Sequence, residues 1–209
     1  MIDLEQLILD LKGCAEKRVP MTEGRDTKLE YFKWDDLYMV GSWFDRVEFH
    51  QIQFDDCDLK TSNFFNCKFI ECNFTSCNFE GSKFDTCEFI SCNFDRCNLR
   101  RVNFDCHIPA IRSRFFSCRM DSIVFWDEFF VGSWLSGSSG IFRLPVGDPR
   151  GYDALAVQYN GKWEIRAGCR LHSIECALRH WSNKEYYDQE IGSRYVKAIE
   201  WLKEKIDVS

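Results

Sequence analysis

The sequence predicts a mainly β protein in which about half of the chain coils into a solenoid. Every fifth residue from Leu29 to Phe104 is large and apolar. A period of five matches neither the 3.6 residues of a helical turn nor the alternation of a strand, so the chain is expected to turn after each large residue. From Ser42 to Val102, the residue two positions earlier is small or compact. Both side chains therefore fit a narrow, close-packed interior.

The N-terminal segment is predicted to be a capping helix. Leucine and isoleucine recur with helical spacing between Leu4 and Leu11, which gives a helix from Asp3 to about Glu16 one apolar face. An open solenoid end exposes unpaired backbone groups, and a helix across it prevents unwanted strand pairing. We therefore expect residues 1–28 to form this helix and a lead-in.

A register break near residues 106–114 interrupts the repeat. Pro109 removes a backbone donor there. Large residues then resume every five positions, displaced by one, at Phe115, Met120, Phe125 and Phe130. We expect one further coil, so that the solenoid covers residues 29–131. The break is either a bulge that repairs the register or a loop that contacts a partner.

The remainder of the chain predicts a linker and a small α+β module. Residues 132–151 contain five glycines, four serines and two prolines, as a linker does. In residues 152–209, two alternating segments flank Asn160 and Gly161, a strong hairpin signal. Helical spacing then predicts helices over about 173–181 and about 184–205.

The repeats carry a family resemblance. Runs such as Cys72-Asn73-Phe74-Thr75-Ser76 and Cys92-Asn93-Phe94-Asp95-Arg96 resemble the pentapeptide-repeat family over residues of about 29–130. The resemblance implies a right-handed quadrilateral β-helix with four pentapeptides to a coil, often dimeric. Residues twenty apart would then stack about 4.8 Å apart. Separately, Ala167-Gly168-Cys169-Arg170 and His180-Trp181 are similar to C-terminal segments of uncharacterised bacteriophage proteins, which implies a viral origin.

The twelve cysteines do not predict a disulfide framework. Seven occupy the compact inward position, where a thiol acts as a small hydrophobe. Stacked cysteines point in parallel, whereas a disulfide needs converging β-carbons. The first twenty residues lack the pattern of a signal peptide, and no apolar stretch is long enough to span a membrane. We expect a reducing compartment, the cytoplasm, or the host cytoplasm if the protein is viral.

The charge distribution argues against direct nucleic-acid binding. The net charge is −6, and residues 29–130 carry 17 acidic and 11 basic side chains. Nucleic-acid binding favours a basic face instead. Asp45, Asp85 and Asp105 would share one face of the solenoid. They form an acidic column that either imitates DNA phosphates, as the gyrase-protecting members of the family are thought to do, or is a solvated surface.

A second outward column is apolar. Ile70 and Ile90 would stack, with Phe65 on the neighbouring face. A stacked apolar pair beside an aromatic residue indicates a covered surface, whether by the C-terminal module, a second copy in a homodimer or a protein partner.

The C-terminal module contains one candidate metal site, formed by Cys169, His172, Cys176 and His180. Two thiols and two imidazoles suit zinc, although only three residues separate the two pairs, and the alternative is a packed helix face. No catalytic constellation stands out, and no cofactor is expected. The sequence thus favours a non-enzymatic protein-binding module that inhibits a nucleic-acid-processing or defence enzyme. The alternative is an enzyme or zinc-dependent module at the C-terminus with the β-helix as scaffold.

Overall fold

The computed structural model describes residues 24–125, 129–131, 133–150, 153–167, 170–183, 185 and 188–206. The chain divides into two compact units between Ser139 and Gly140. The first unit is a β-solenoid of about five turns, and the second is a small sheet with two helices. The predicted N-terminal capping helix lies outside the described residues.

The solenoid has four faces, because the chain returns to the same face after about twenty residues. Face one contains β1 (Gly24–Arg25), β4 (Trp43–Asp45), β7 (Asn63–Phe65), β10 (Lys83–Asp85), β13 (Asn103–Asp105) and β15 (Val124–Phe125). Face two contains β2 (Lys28–Glu30), β5 (Glu48–His50), β8 (Lys68–Ile70) and β11 (Glu88–Ile90). Face three contains β3 (Lys33–Asp35), β6 (Gln53–Asp55), β9 (Asn73–Thr75), β12 (Asn93–Asp95), β14 (Arg114–Phe116) and β16 (Trp134–Ser136). Face four is a ladder of single parallel bridges through Tyr38, Asp58, Asn78, Asn98, Arg119 and Ser139.

The large residues at every fifth position form the core, as the sequence predicts. All sixteen from Leu29 to Phe104 are buried. Parallel pairing places Phe49, Phe69 and Phe89 above one another, with ring centroids 4.8 and 4.9 Å apart. The stacked spacing equals the distance between neighbouring hydrogen-bonded strands. The hydrogen bonds between strands therefore keep each of these rings at stacking distance from the equivalent ring in the next coil.

The compact residues two positions earlier also point inward. The Ser82 hydroxyl donates to the Leu59 carbonyl at 2.6 Å, and the Cys77 thiol donates to the Phe54 carbonyl at 3.2 Å. Burial raises the pKa of the Cys87 and Cys92 thiols. All ten cysteines among the described residues are free thiols, nine of them buried in the solenoid.

The corners require left-handed backbone. The residue two positions after most core residues has a positive φ, for example Arg46 at 55° and Gln51 at 53°. That conformation costs about 1 kcal/mol or more for a residue with a Cβ. The corner amides offset the cost by bonding to the next coil, as Arg46 N does to the Phe65 carbonyl at 2.8 Å.

The register break adds one residue to a coil. Phe94 pairs with Phe115, 21 residues later, and Met120 and Phe125 continue the core. Ala110 is the small buried residue in the displaced segment, and its amide donates to the Phe129 carbonyl at 2.7 Å. The Phe129 ring stacks on Phe104 with centroids 4.5 Å apart. The Phe129 ring thus fills part of the core in the coil where Ala110 has only a small side chain.

Two strands lie within the segment that we predict as a linker. Face three continues through β16, which pairs in parallel with β14. Ser133 and Ser138 are buried in the compact inward position. The strand β17 (Ile141–Arg143) then begins the C-terminal sheet by pairing with β18 (Ala154–Tyr159). The glycines and serines of this segment thus belong to a solenoid coil and to turns. A composition rich in glycine and serine therefore does not distinguish a linker from such a segment.

The C-terminal unit is an antiparallel sheet with two helices. The sheet order is β17, β18, β19 (Lys162–Ala167), β20 (Arg170–Ser173), and the helices are α1 (Ile174–Trp181) and α2 (Gln189–Ile206). The predicted hairpin is present, with Asn160 and Gly161 both at positive φ. The second helix begins later than the predicted 184, because the Asp188 side chain accepts from the Ile191 amide and caps it.

Candidate protein-binding surface

The acidic and aromatic candidates on face one lie in a single outward column. Strand register pairs Asp45 with Phe65, Phe65 with Asp85, and Asp85 with Asp105. The structure therefore brings together the predicted acidic column and Phe65. An aromatic ring interrupts the row of carboxylates, so their charges do not form a continuous series.

The three carboxylates of this column differ in their solvent exposure and in their hydrogen-bond partners. Asp45 is 17% exposed at its side chain and accepts from the Arg46 guanidinium at 2.8 Å. Asp85 accepts from the Thr86 hydroxyl at 2.9 Å, whereas Asp105 is exposed. The negative potential of the column is therefore concentrated at Asp85 and Asp105.

Trp43 extends the aromatic part of face one. Its ring stacks on Phe65 with centroids 4.4 Å apart and an interplanar angle of 24°. Trp43 is 40% exposed. It occupies the position before a core residue, which is otherwise mostly polar, and that departure is the sequence signal that would have identified it. Trp43 and Phe65 form one aromatic platform.

The predicted apolar column on face two is longer than its two named members. Ile70 and Ile90 pair in register, and Ile90 bridges to Ile111, which is exposed. Ile111 was missed because it follows Ile90 by 21 residues, across the register break. Beside this column the Lys68 ammonium lies 3.6 Å from the Glu88 carboxylate, so the neighbouring charges on face two partly cancel.

The C-terminal zinc candidates do not form a ligand set among the described residues. The His172 and His180 rings stack with centroids 5.3 Å apart, and both contact Trp181 edge to face. Cys176 is exposed, and Cys169 lies outside the described residues. Across the described part of the chain, no group of three histidine, cysteine or acidic side chains is placed to hold a metal ion. The two imidazoles pack against each other and against Trp181.

An ion pair between the buried Asp148 and the exposed Arg150, in the same unit, was not found from the sequence. Arg150 donates to both oxygens of Asp148, at 2.9 and 2.6 Å, and the Tyr195 hydroxyl donates to Asp148 at 3.2 Å. The Arg150 hydrogen bonds lower the pKa of Asp148 to about 2. Tyr195 also stacks on Trp181 at 4.2 Å. The hydrogen bond from Tyr195 to Asp148 anchors the segment before β18 to α2.

Comparison with known proteins agrees with the repeat geometry. Residues 62–101 match the family model of pentapeptide repeats, in eight copies. The coils before the matched segment continue its register, and the coil after it pairs in parallel with one added residue. No curated protein matches the chain.

Solved pentapeptide-repeat proteins are distantly similar. Rfr23 from the cyanobacterium Cyanothece 51142 is 12% identical over 65% of this chain and 94% of its own, with a TM-score of 0.41. A trypsin-treated variant of QnrB1, a plasmid-mediated fluoroquinolone resistance protein, is 12% identical over 56% and 68%, with a TM-score of 0.35. HetL from Nostoc sp. strain PCC 7120, involved in heterocyst differentiation regulation, is 10% identical over 64% and 64%, with a TM-score of 0.23. At this distance the alignments carry no argument about function.

Within the described residues, no helix is long and apolar enough to cross a membrane.

Proposed function

We propose that this protein is a non-enzymatic protein-binding module that uses faces one and two of its solenoid. The observation that carries the proposal is the presence of two outward apolar clusters on adjacent faces, the Trp43–Phe65 platform on face one and the isoleucine column on face two. Phe65 and Ile70 lie on consecutive strands, β7 and β8, separated by a single corner. Apolar and aromatic side chains in such a cluster are typical of the centre of a protein interface.

The acidic residues beside the platform favour a target with a basic surface. Asp85 follows Phe65 in the same column, and Asp105 follows Asp85. Enzymes that act on nucleic acid have basic substrate clefts, and a carboxylate column is attracted to them. We therefore propose inhibition of a nucleic-acid-processing or defence enzyme. Because Phe65 interrupts the carboxylates, apolar docking assisted by charge accounts for the surface better than imitation of a continuous phosphate row.

Two variant sets separate these contributions. Partners would be captured from a lysate of the cells in which the protein acts, and the affinity of the purified partner would be measured at low and high salt. Ile70→Asp with Ile90→Asp should abolish binding, because the interface would then desolvate two unpaired charges. Asn at positions 45, 85 and 105 should weaken binding modestly and flatten its salt dependence. Lys60→Gln on face four is the matched control. It should change neither the affinity for the partner nor the salt dependence of that affinity.

Each outcome has a direct meaning. Full DNA competition together with loss of binding in the Asn set would favour imitation of DNA. Unchanged affinity in both sets, with all variants folded, would contradict the proposed surface and place the contact elsewhere, with Lys162, Arg166 and Arg170 as the next positions to test. A homodimer through face two would appear as a change in oligomeric state in the Ile70→Asp, Ile90→Asp protein alone.

A further inference from the structure

The charge of the solenoid reverses in one segment of its length. Residues 26–95 carry fourteen acidic and six basic side chains, whereas residues 96–120 carry six arginines and one aspartate. The net charge of the whole repeat region conceals this reversal. Residues 96–120 are therefore a basic segment between the acidic earlier coils and the acidic residues Asp121, Asp127 and Glu128. This segment has the opposite electrostatic preference to the coils before it.

Three of these arginines are available for a ligand. Arg112, Arg114 and Arg119 belong to one coil and are exposed. Among the residues that the structure describes, none of the three has a carboxylate within the 4.0 Å of an ion pair. By contrast, Arg96 pairs with Asp95 and Arg100 pairs with Asp121. A free guanidinium is the side chain best suited to bind a carboxylate through two hydrogen bonds.

Exposed aromatic rings lie next to one of these arginines. Phe116 is 53% exposed and Trp134 is 55% exposed, although both are large. Strand register places Trp134 beside Arg114, whose guanidinium carbon lies 5.4 Å from the Trp134 ring centre. Arg114, Phe116, Trp134 and Ser136 line a cavity of about 360 Å³. That volume accommodates one large apolar side chain of a ligand.

We propose that this surface, defined by Arg112, Arg114, Phe116 and Trp134, binds a short acidic peptide segment of a protein partner. The rings and the cavity would take an aromatic or aliphatic side chain of the segment, while Arg112 and Arg114 bind flanking carboxylates. The proposal goes beyond the binding surface on faces one and two and names a second contact with a different chemistry. It rests on the proposed function only in that the ligand is a protein.

The charge reversal favours a short peptide over a nucleic-acid strand. Asp95 is the register neighbour of Phe116, and the coils before it are acidic. A strand that follows the solenoid away from the arginines would meet repulsion within a Debye length, about 10 Å at 0.1 M salt. A peptide of a few residues ends before that point.

The test is fluorescence anisotropy with the full chain and a labelled acetyl-Glu-Glu-Phe-Glu-Glu-amide probe. The probe should bind, bind more weakly as salt rises, and lose affinity about tenfold or more when Gln replaces its Glu residues. Arg114→Gln and Trp134→Ala should each lower affinity severalfold or more. The controls are Lys60→Gln and Tyr31→Ala, which make equivalent changes at exposed positions away from this coil. Neither should lower the affinity for the probe. Thermal melts establish that each variant is folded.

Three results would overturn the proposal. In the first, the Glu probe fails to bind. In the second, the folded Arg114→Gln protein binds the probe with the same affinity as the unchanged protein. In the third, an oligothymidylate binds more tightly than the Glu probe, and its binding depends on Arg114. The last result would identify a nucleic acid as the occupant. The Ile70→Asp, Ile90→Asp protein should bind the probe normally, so failure here is distinguishable from failure of the proposed function, which affects partner affinity through faces one and two.

Discussion

Replacing Phe79 with alanine tests whether the residues at every fifth position hold the solenoid together. Phe79 is 0% exposed, and its ring contacts those of Phe74, Phe84 and Phe94 at centroid distances of 5.4, 5.7 and 6.2 Å. Truncating a buried phenylalanine costs about 3 to 5 kcal/mol. We expect the upper half of that range, because backbone bonds to the adjacent coil limit collapse around the cavity, as Phe79 N donates to the Asn98 carbonyl at 2.8 Å.

The control is Phe65→Ala, which removes the same ring from an outward position. Phe65 is partly exposed and its main ring contact is with Trp43. An aromatic pair of this kind contributes about 0.5 to 1.5 kcal/mol beyond area burial, so we expect a loss of about 1 to 2 kcal/mol. Phe79→Leu should cost less than Phe79→Ala, since Leu59 and Leu99 hold the equivalent core position in the coils before and after.

The assay is equilibrium unfolding in urea followed by far-ultraviolet circular dichroism. The slope with denaturant should be compared among variants, because repeat proteins lose cooperativity when one coil is weakened. Equal losses of stability for Phe79→Ala and Phe65→Ala would refute the assigned inward register. A Phe79→Leu loss as large as that of Phe79→Ala would refute the argument from cavity formation.

Three further predictions concern the thiols, a metal and the ion pair between Asp148 and Arg150. All twelve cysteines should react with a thiol reagent after denaturation without reductant, while in the native protein the exposed Cys176 should react before the buried solenoid thiols; missing thiols would contradict the reducing compartment. The purified protein should contain no stoichiometric zinc, and one equivalent that is lost in Cys169→Ser would restore the zinc hypothesis. Asp148→Asn should destabilise the C-terminal unit by about 2 kcal/mol at neutral pH, because the pKa of Asp148 is lower in the folded state. That stabilisation is present above the unfolded pKa of about 4 and is lost as pH falls through about 2, so variant and wild type should converge in acid; a constant difference across pH would contradict the ion pair.

The core was predictable because its signal is local and repeated. A period of five specifies which side chain turns inward at each step, and that pattern persists through the register break to Phe125. The hairpin was predictable for the same reason, since Asn160 and Gly161 by themselves favour the required positive φ.

The outward surfaces were only partly predictable, because they depend on what stacks twenty or twenty-one residues away. Trp43 and Ile111 join the candidate surface through parallel register, and the single added residue after Asp105 shifts that register. In the C-terminal unit, the pairing of β17 with β18 and the hydrogen bond from Tyr195 to Asp148 likewise depend on folding that no short motif encodes.

Hydroxyl-radical footprinting of the protein with and without its captured partner tests the binding surface most directly. This method measures the solvent exposure of side chains, and Trp43 and Phe65 are both reactive types and solvent-accessible in the free protein. Binding through faces one and two predicts that oxidation of Trp43, Phe65, Ile70 and Ile90 falls strongly in the complex, while Tyr38 on face four stays unchanged. Unaltered oxidation of Trp43 and Phe65, with protection confined to residues 140–206, would contradict the account.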